Sequence, residues 1–313
     1  LSLDRFWNFS RGGIVNFRTG LRDAVSGVEQ TRSRMMEYDQ LLVWAVLSLM
    51  LIGLVMVYSA SITLADGPKY ANYSSNYFLI RHLISLVIAI AVGIWAFKIP
   101  TKVWDRYSPV IFGFTVILLI LVLIPGIGKG VNGARRWIPL GLMNFQPSEL
   151  MKFTAVIFAA SYTVQRQEYL HSFSKGMLPM GIAVALVGGL LMKEPDMGAF
   201  VVVALIAFGI LFLGGINAKL FGGLIVVGLL SGAAMIALSP FRRGRMLAFM
   251  DPWQVDNAAN KGYQLTHSLM AFGRGEWFGT GLGGSVEKLH YLPEAHTDFI
   301  MAVIGEELGF VGV

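Results

Sequence analysis

Cysteine is absent from the 313 residues, which excludes disulfides, thiolate catalysis and cysteine-bound zinc or iron–sulfur centres. Charge is nearly as scarce. Only 14% of residues are Asp, Glu, Lys or Arg, against about 25% in a soluble domain. With 55% hydrophobic residues and a mean hydropathy of +0.62, such a chain takes lipid rather than water as its main solvent. There is no H-E-x-x-H pair. Two stretches, Gly128–Gly133 and Gly279–Gly284, fit G-x-G-x-x-G, but neither sits in a strand–turn–helix unit, so a dinucleotide fold is excluded. Their glycines can still turn backbone N–H groups toward a phosphate. No cleavable signal peptide is visible, because the first long apolar run begins near Leu41, too deep for one. The missing initiator Met leads us to expect a trimmed or processed N-terminus.

What is present is a succession of apolar runs near the roughly 20 residues that a bilayer crossing needs. They fall at 41–60, 80–99, 108–126, 148–164, 177–193, 198–215 and 219–239. An eighth starts near Thr297 and stops at Val313, so the chain is expected to be incomplete at its C-terminus. The fold class predicted is an all-α polytopic helix bundle of about eight spans, with 36 glycines suited to close helix packing in lipid. Residues 1–39 form an Arg-rich arm (Arg5, Arg11, Arg18, Arg22, Arg32, Arg34), expected to stay cytoplasmic and to precede a membrane domain over 40–313. Lys98, Lys102, Arg106, Arg166 and Lys175 agree with that orientation. The loops placed outside are also basic, with Arg135, Arg136, Arg242, Arg243, Arg245 and Arg274, which suggests that a function keeps cations there. The formal charge of +6 favours anionic lipid or an anionic substrate over free nucleic acid.

The loop between spans seven and eight, about 240–297, is long and structured in character. Leu265, Leu269 and Phe272 recur at helical spacing, which predicts a short amphipathic helix over Gly262–Phe272 at the interface. Long ordered loops on a rigid scaffold concentrate function.

Four stretches could carry chemistry. Gln146-Pro147-Ser148-Glu149-Leu150-Met151-Lys152 opens the fourth span with helix-start signals. It also puts Glu149 and Lys152 three residues apart on one face. Charge at that depth costs about 2.5–3.5 kcal/mol and usually faces a cavity or a partner. The bland alternative is a structural pair. Arg135 and Arg136 beside Trp137 can grip a phosphate; alternatively Trp137 is an interfacial anchor and the arginines snorkel. Lys193-Glu194-Pro195-Asp196 joins spans five and six, either as a site or as a polar turn with Asp196 capping span six. Tyr291-Leu292-Pro293-Glu294-Ala295-His296-Thr297-Asp298-Phe299-Ile300 runs into Glu306-Glu307-Leu308-Gly309. Asp298 falls at the outer edge of the lipid, where partial desolvation suits a general base; the alternative is that it caps the last span with Thr297. Ala302, Gly305 and Gly309 give that helix a thin face, and Glu306 lies close to it. His290, Glu294, His296 and Asp298 could bind a divalent ion, but a hydrogen-bonded surface cluster accounts for them better without ligand spacing.

These stretches, with Arg245-Met246-Leu247-Ala248-Phe249-Met250-Asp251-Pro252-Trp253, resemble the SEDS family (shape, elongation, division and sporulation). The similarity covers nearly all of 41–313 and five motifs in order. Glu294-Ala295-His296 and the long N-terminal arm favour the division branch over the elongation branch. The resemblance implies a peptidoglycan glycosyltransferase of ten spans, two of them absent here, acting on lipid II, a disaccharide-pentapeptide on undecaprenyl diphosphate. It also implies an essential aspartate at Asp298, a functional tryptophan at Trp137 and a charged pair at Glu149 and Lys152. The remaining candidate substrate contacts are Arg135, Arg136, Glu194, Asp196, Arg245, His296 and Glu306. No tightly bound cofactor is expected, with Mg2+ or Mn2+ as an optional helper. Expected partners are a class B penicillin-binding protein (an FtsI-like transpeptidase), divisome regulators of the FtsQ/FtsL/FtsB type and membrane lipid, at the septum of the inner membrane. The rival readings are a lipid II flippase, which needs a polar path across the bilayer, and a non-catalytic scaffold that recruits a transpeptidase.

Overall fold

The computed structural model describes residues 39–66, 73–131, 133–141 and 144–313. The expected Arg-rich arm therefore lies outside the described residues, except for Asp39. That residue caps the first helix, α1 (Gln40–Ser61), by accepting the backbone N–H groups of Leu41 and Leu42 at 2.9 and 3.2 Å. The chain divides into two compact units, one built from the segments up to Lys98 and from Leu247 onward, the other from Ile99–Met246.

In the first unit, α1 continues through a 3-10 turn, Ile62–Asp66, and packs against α2 (Tyr77–Phe97). In the second, α3 (Thr101–Leu123) leads to three short strands, β1 (Lys129–Val131), β2 (Ala134–Pro139) and β3 (Asn144–Phe145). Four helices follow: α4 (Pro147–Gln165), α5 (Leu178–Lys193), α6 (Met197–Leu213) and α7 (Ala218–Ala237). Helix α8 (Pro240–Met250) carries the chain back to the first unit. There it forms α9 (Val255–Ala259), α10 (Tyr263–Gly275) and α11 (Ile300–Gly312). The short helix expected over 262–272 is α10, which starts one residue later and ends three residues later.

Five segments are long and apolar enough to cross a membrane: Gln40–Leu64, Tyr77–Phe97, Thr101–Leu123, Phe173–Lys193 and Ala218–Ala237. Met197–Leu213 is a shorter apolar helix of 17 residues. Among the described residues α2 and α7 bury nothing. Ile80, Leu83, Val87 and Ile94 on α2, and Ile225, Val227, Leu229 and Leu230 on α7, stand exposed. In water such surfaces would aggregate; against lipid tails they are the expected outer face of a spanning helix.

Helix α3 starts seven residues earlier than the apolar run at 108 suggested, at Thr101 instead. It runs through Pro109. Proline has no N–H and so frees the carbonyl four residues back, that of Asp105. The Ser161 hydroxyl on α4 takes it up: it donates to the Asp105 carboxylate at 2.6 Å and reaches the Asp105 carbonyl at 3.5 Å. The polar start of α3 is thereby stitched to α4, and periodicity alone could not foresee a partner 56 residues away.

The small sheet is a finding that the all-α expectation lacked. β1 and β2 pair antiparallel, with Lys129 opposite Trp137 and Val131 opposite Ala134. β2 pairs with β3 through Ile138 and Phe145. Gly133 supplies the positive φ of +79° for the tight turn.

The core of the first unit gathers Met56 and Ala60 of α1, Ala271 of α10, Leu292 and Ala295 of the loop, and Ala302, Val303 and Ile304 of α11. Helices α10 and α11 approach so closely that only glycine fits. A Cβ at Gly275 would lie 1.8 Å from the Gly305 carbonyl, and one at Gly305 would lie 2.4 Å from the Phe272 ring. The second unit has two clusters. One joins α4, α5, α6 and Ile216 around Ala159, Val184 and Leu211; the other joins α3, α4, α5 and α6 around Leu119, Met151, Val187 and Val203.

Candidate active site

In the first unit the chain between α10 and α11 is an ordered loop. Leu292 and Ala295 turn into the core, and Phe299 and Ile300 pack against the same cluster. Between these anchors Thr297 and Phe299 donate backbone N–H groups to the Glu294 carbonyl at 3.1 and 3.2 Å, closing a turn. His296 lies ring against ring with Phe78 of α2, centroids 4.8 Å apart. Asp298 rides on this turn with its side chain exposed. Among the described residues no hydrogen bond or ion pair engages its carboxylate. It does not cap the last helix: α11 begins at Ile300 after Phe299, with no side-chain cap. The capping alternative is set aside. The expected desolvation is not provided by the chain's own packing either.

Glu306 sits away from that turn. Fully buried, it accepts the Ser285 hydroxyl at 2.5 Å and the Val286 and Glu287 N–H groups at 3.0 and 3.3 Å, with Arg274 at 3.3 Å. Glu307, also fully buried, pairs with Lys288 at 2.6 Å and accepts the Ser59 hydroxyl on both oxygens at 2.8 Å. The glycines from Gly279 to Gly284 run beside α11. The Gly281 N–H donates to the Glu307 carbonyl at 3.0 Å, and a Cβ at Gly279 would lie 2.2 Å from that oxygen. These glycines serve close backbone approach, not a nucleotide. His267 bonds Glu287 at 2.7 Å.

In the second unit a polar group surrounds the α5–α6 turn. Asp196 caps α6, accepting the Ala199 N–H at 3.2 Å, and receives the Gln146 amide and the Ser148 hydroxyl at 3.3 Å each. Arg136 of β2 donates to the Glu194 carbonyl at 3.0 Å and also to the Pro195 carbonyl. It thus neutralises the negative end of α5. The Glu194 side chain is fully buried, and neither carboxylate oxygen has a hydrogen-bond partner among the described residues. Burial, reinforced by the neighbouring Asp196 charge and only partly offset by Arg136, raises its pKa to about 8. The acid is neutral at pH 7.

Glu149 and Lys152 pair at 2.8 Å, with side chains 60% and 30% exposed. They form a partly exposed pair on this unit's surface. Trp137 is half-buried on β2 and Arg135 is exposed beside it. The Arg245 guanidinium stacks on Phe241 at 4.6 Å.

The second unit thus brings Arg136, Glu194 and Asp196 together, whereas Glu306 parts company with Asp298. Sequence reasoning missed Ser59, Ser285 and Lys288. The available signal was the adjacent pair Glu306-Glu307 in an apolar helix, whose faces demand two partners. Among the described residues no group of three or more His, Asp or Glu side chains could hold a metal ion.

Apolar helices, ordered charge clusters at their ends and a long structured loop define a multi-pass membrane protein. The chain belongs to the FtsW/RodA/SpoVE family, described as cell cycle proteins, whose model matches residues 40–313. It is 93% identical over all 313 residues to the "Probable peptidoglycan glycosyltransferase FtsW" of Polynucleobacter necessarius subsp. necessarius, covering 74% of that protein. It is 60% identical over 94% of its length to the protein of the same name from Burkholderia thailandensis, covering 64% of it. Among solved structures, a chain from a peptidoglycan synthase complex described as coordinating polymerization and crosslinking superposes with a TM-score of 0.66. It has 25% identity over 88% of this chain and 73% of that one. The Thermus thermophilus rod shape determining protein RodA shares the fold, with a TM-score of 0.56 and 22% identity over 88% of this chain and 69% of that one.

Proposed function

We propose that this protein polymerises lipid II into glycan strands, with Asp298 as the general base. The observation that carries the reading is a carboxylate engaged by no hydrogen bond or ion pair among the described residues. It is exposed on a turn gripped on both sides by core residues, in a chain whose 93%-identical relative is named a peptidoglycan glycosyltransferase. Asp298 takes the proton of a sugar 4-hydroxyl as that oxygen attacks the anomeric carbon of the donor. The bond from that carbon to the lipid diphosphate breaks, and its electron pair leaves on the phosphate oxygen. Single displacement inverts the centre and needs no general acid, because diphosphate departs as an anion. Developing negative charge calls for cations; Arg135, Arg136, Lys152 and Arg245, all of the second unit, are proposed as substrate-binding residues on their charge alone. Trp137, Glu149 and Asp196 of the second unit and His296 of the first complete the proposed substrate-binding set; Glu194 and Glu306, expected there from the sequence, are fully buried and are left out of it. Mg2+ or Mn2+ remains an optional aid, assigned to no side chain and tested by chelation.

The proposed setting is the inner membrane at the division septum, with the N-terminus cytoplasmic. The proposed partners are a class B penicillin-binding protein and divisome regulators of the FtsQ/FtsL/FtsB type. Support for a transpeptidase partner comes from the related chain in a synthase complex that couples polymerization to crosslinking.

The test is polymerisation of purified lipid II by the full-length protein co-purified with its transpeptidase. Asp298→Asn keeps the shape and removes the base, so turnover should fall by about 100- to 10,000-fold in a protein that still inserts. Normal polymerisation by that variant removes Asp298 from the mechanism. A wild type that only moves lipid II between leaflets turns the reading toward a flippase.

A further inference from the structure

We infer that Lys288, Glu307 and Ser59 form a buried clasp that positions Asp298, an inference that rests on the reading of Asp298 as the base. Four consecutive loop residues are held from α11 and α1. Ser285, Val286 and Glu287 bond the Glu306 carboxylate. Lys288 then reaches the Glu307 carboxylate at 2.6 Å and the Ser59 hydroxyl at 3.1 Å. The Thr63 hydroxyl donates to the Lys288 carbonyl at 2.9 Å, tying the backbone of the same residue to the 3-10 turn that follows α1.

The register set there is passed toward Asp298. The Leu292 N–H donates to the Glu287 carbonyl at 2.8 Å, and Leu292 and Ala295 are buried in the cluster that also contains Met56 and Ala60 of α1. Asp298 follows directly, before Phe299 and Ile300 re-enter the same cluster. The clasp and Asp298 are thus the two ends of one segment that has no slack at Glu287, Leu292 or Ala295.

A buried ion pair is a poor choice for stability alone, because desolvating both charges offsets most of their attraction; its best-attested use is to select one register over others. Here the Lys288 and Glu307 side chains are 3% and 0% exposed. A loop able to slide by one residue would carry Asp298 off its target, and a misplacement of about 1 Å costs on the order of 100-fold in rate. Lys288, Glu307 and Ser59 are therefore positioning residues.

The test uses the full-length protein co-purified with its transpeptidase, and lipid II as substrate. Cysteine is absent from these 313 residues; with any other cysteine of the complex replaced by serine, a single Thr297→Cys carries a nitroxide whose mobility reports the turn beside Asp298. Turnover is measured in the unlabelled proteins. Lys288→Met should raise the label's mobility and lower turnover per folded molecule by about 10- to 100-fold, with the KM for lipid II unchanged. Ser59→Ala removes one hydroxyl without leaving a bare charge and decides the matter if Lys288→Met does not fold; it should loosen the label and lower turnover by a smaller factor. A folded variant with an immobile label and wild-type turnover overturns the clasp. An active Asp298→Asn overturns the general-base reading instead, so the two failures are distinct.

Discussion

The two units bury acids in opposite ways. In the first, Glu306 and Glu307 are fully buried and fully answered, by a lysine, an arginine, two hydroxyls and two backbone N–H groups. In the second, Glu194 is just as buried, yet its carboxylate accepts no hydrogen bond among the described residues, and its pKa rises to about 8. The same side-chain chemistry gives a fastener in one place and a proton-holding acid in the other. An answered acid fixes geometry; an unanswered one takes a proton instead of bearing the desolvation cost.

The sharpest way to break the comparison is to remove one acid from each unit. Glu306→Ala leaves the Ser285 hydroxyl and two N–H groups facing a void, and should destabilise the protein by about 3–5 kcal/mol. Glu194→Gln replaces a neutral acid by a neutral amide and should cost far less at pH 7. Thermal unfolding in detergent micelles compares the two directly. Equal losses would mean that the hydrogen bonds around Glu306 contribute nothing.

Next in size is a pH effect. Unfolded, Glu194 releases its proton near its ordinary value of 4.5; folded, it holds the proton to about 8. Between those values the unfolded state binds fewer protons, so stability should fall as pH rises, by up to about 1.4 kcal/mol per pH unit. Below pH 4.5 both states are protonated and the group costs nothing. Above pH 8 the loss is complete. Unfolding midpoints measured from pH 5 to 9 should show this slope in the wild type and lose it in Glu194→Gln. A slope unchanged by the substitution would assign it to other groups.

The helices were legible in the sequence because period and composition act locally. The runs at 41–60, 177–193 and 219–239 became α1, α5 and α7 within a few residues. Asp196 as a helix cap was legible too, since capping needs only the next turn. The sheet at 129–145 was not, because Arg135, Arg136 and Trp137 carry phosphate-site and interfacial signals stronger than their strand signal. Nor was the split between Glu306 and Asp298, which depends on what approaches α11 from Ser285 and Lys288. Helical spacing places two acids on nearby faces of one helix; it cannot say that Asp298 lies before the helix begins.

A smaller effect should attend Asp196→Ala. It deletes a cap and the acceptor of Gln146 and Ser148, and should cost about 0.5–2 kcal/mol. It also removes a charge that holds the Glu194 proton in place, so the falling slope of stability with pH should end at a lower pH. A slope unmoved by this variant would leave burial as the sole cause.

The smallest effect on stability belongs to Glu149 and Lys152, and it is the most telling for function. Their pair is partly exposed, so Glu149→Gln should shift stability by about 0–1 kcal/mol. If both residues serve only each other, lipid II turnover will move as little as stability does. If Lys152 contributes charge to a departing diphosphate, freeing it from Glu149 changes the rate while the unfolding midpoint stays put, and Lys152→Met lowers the rate further with the midpoint still unchanged. A charge pair that matters to turnover but not to folding would place the second unit's chemistry at its surface, in contrast to the first unit, where the buried pair is predicted to matter to both.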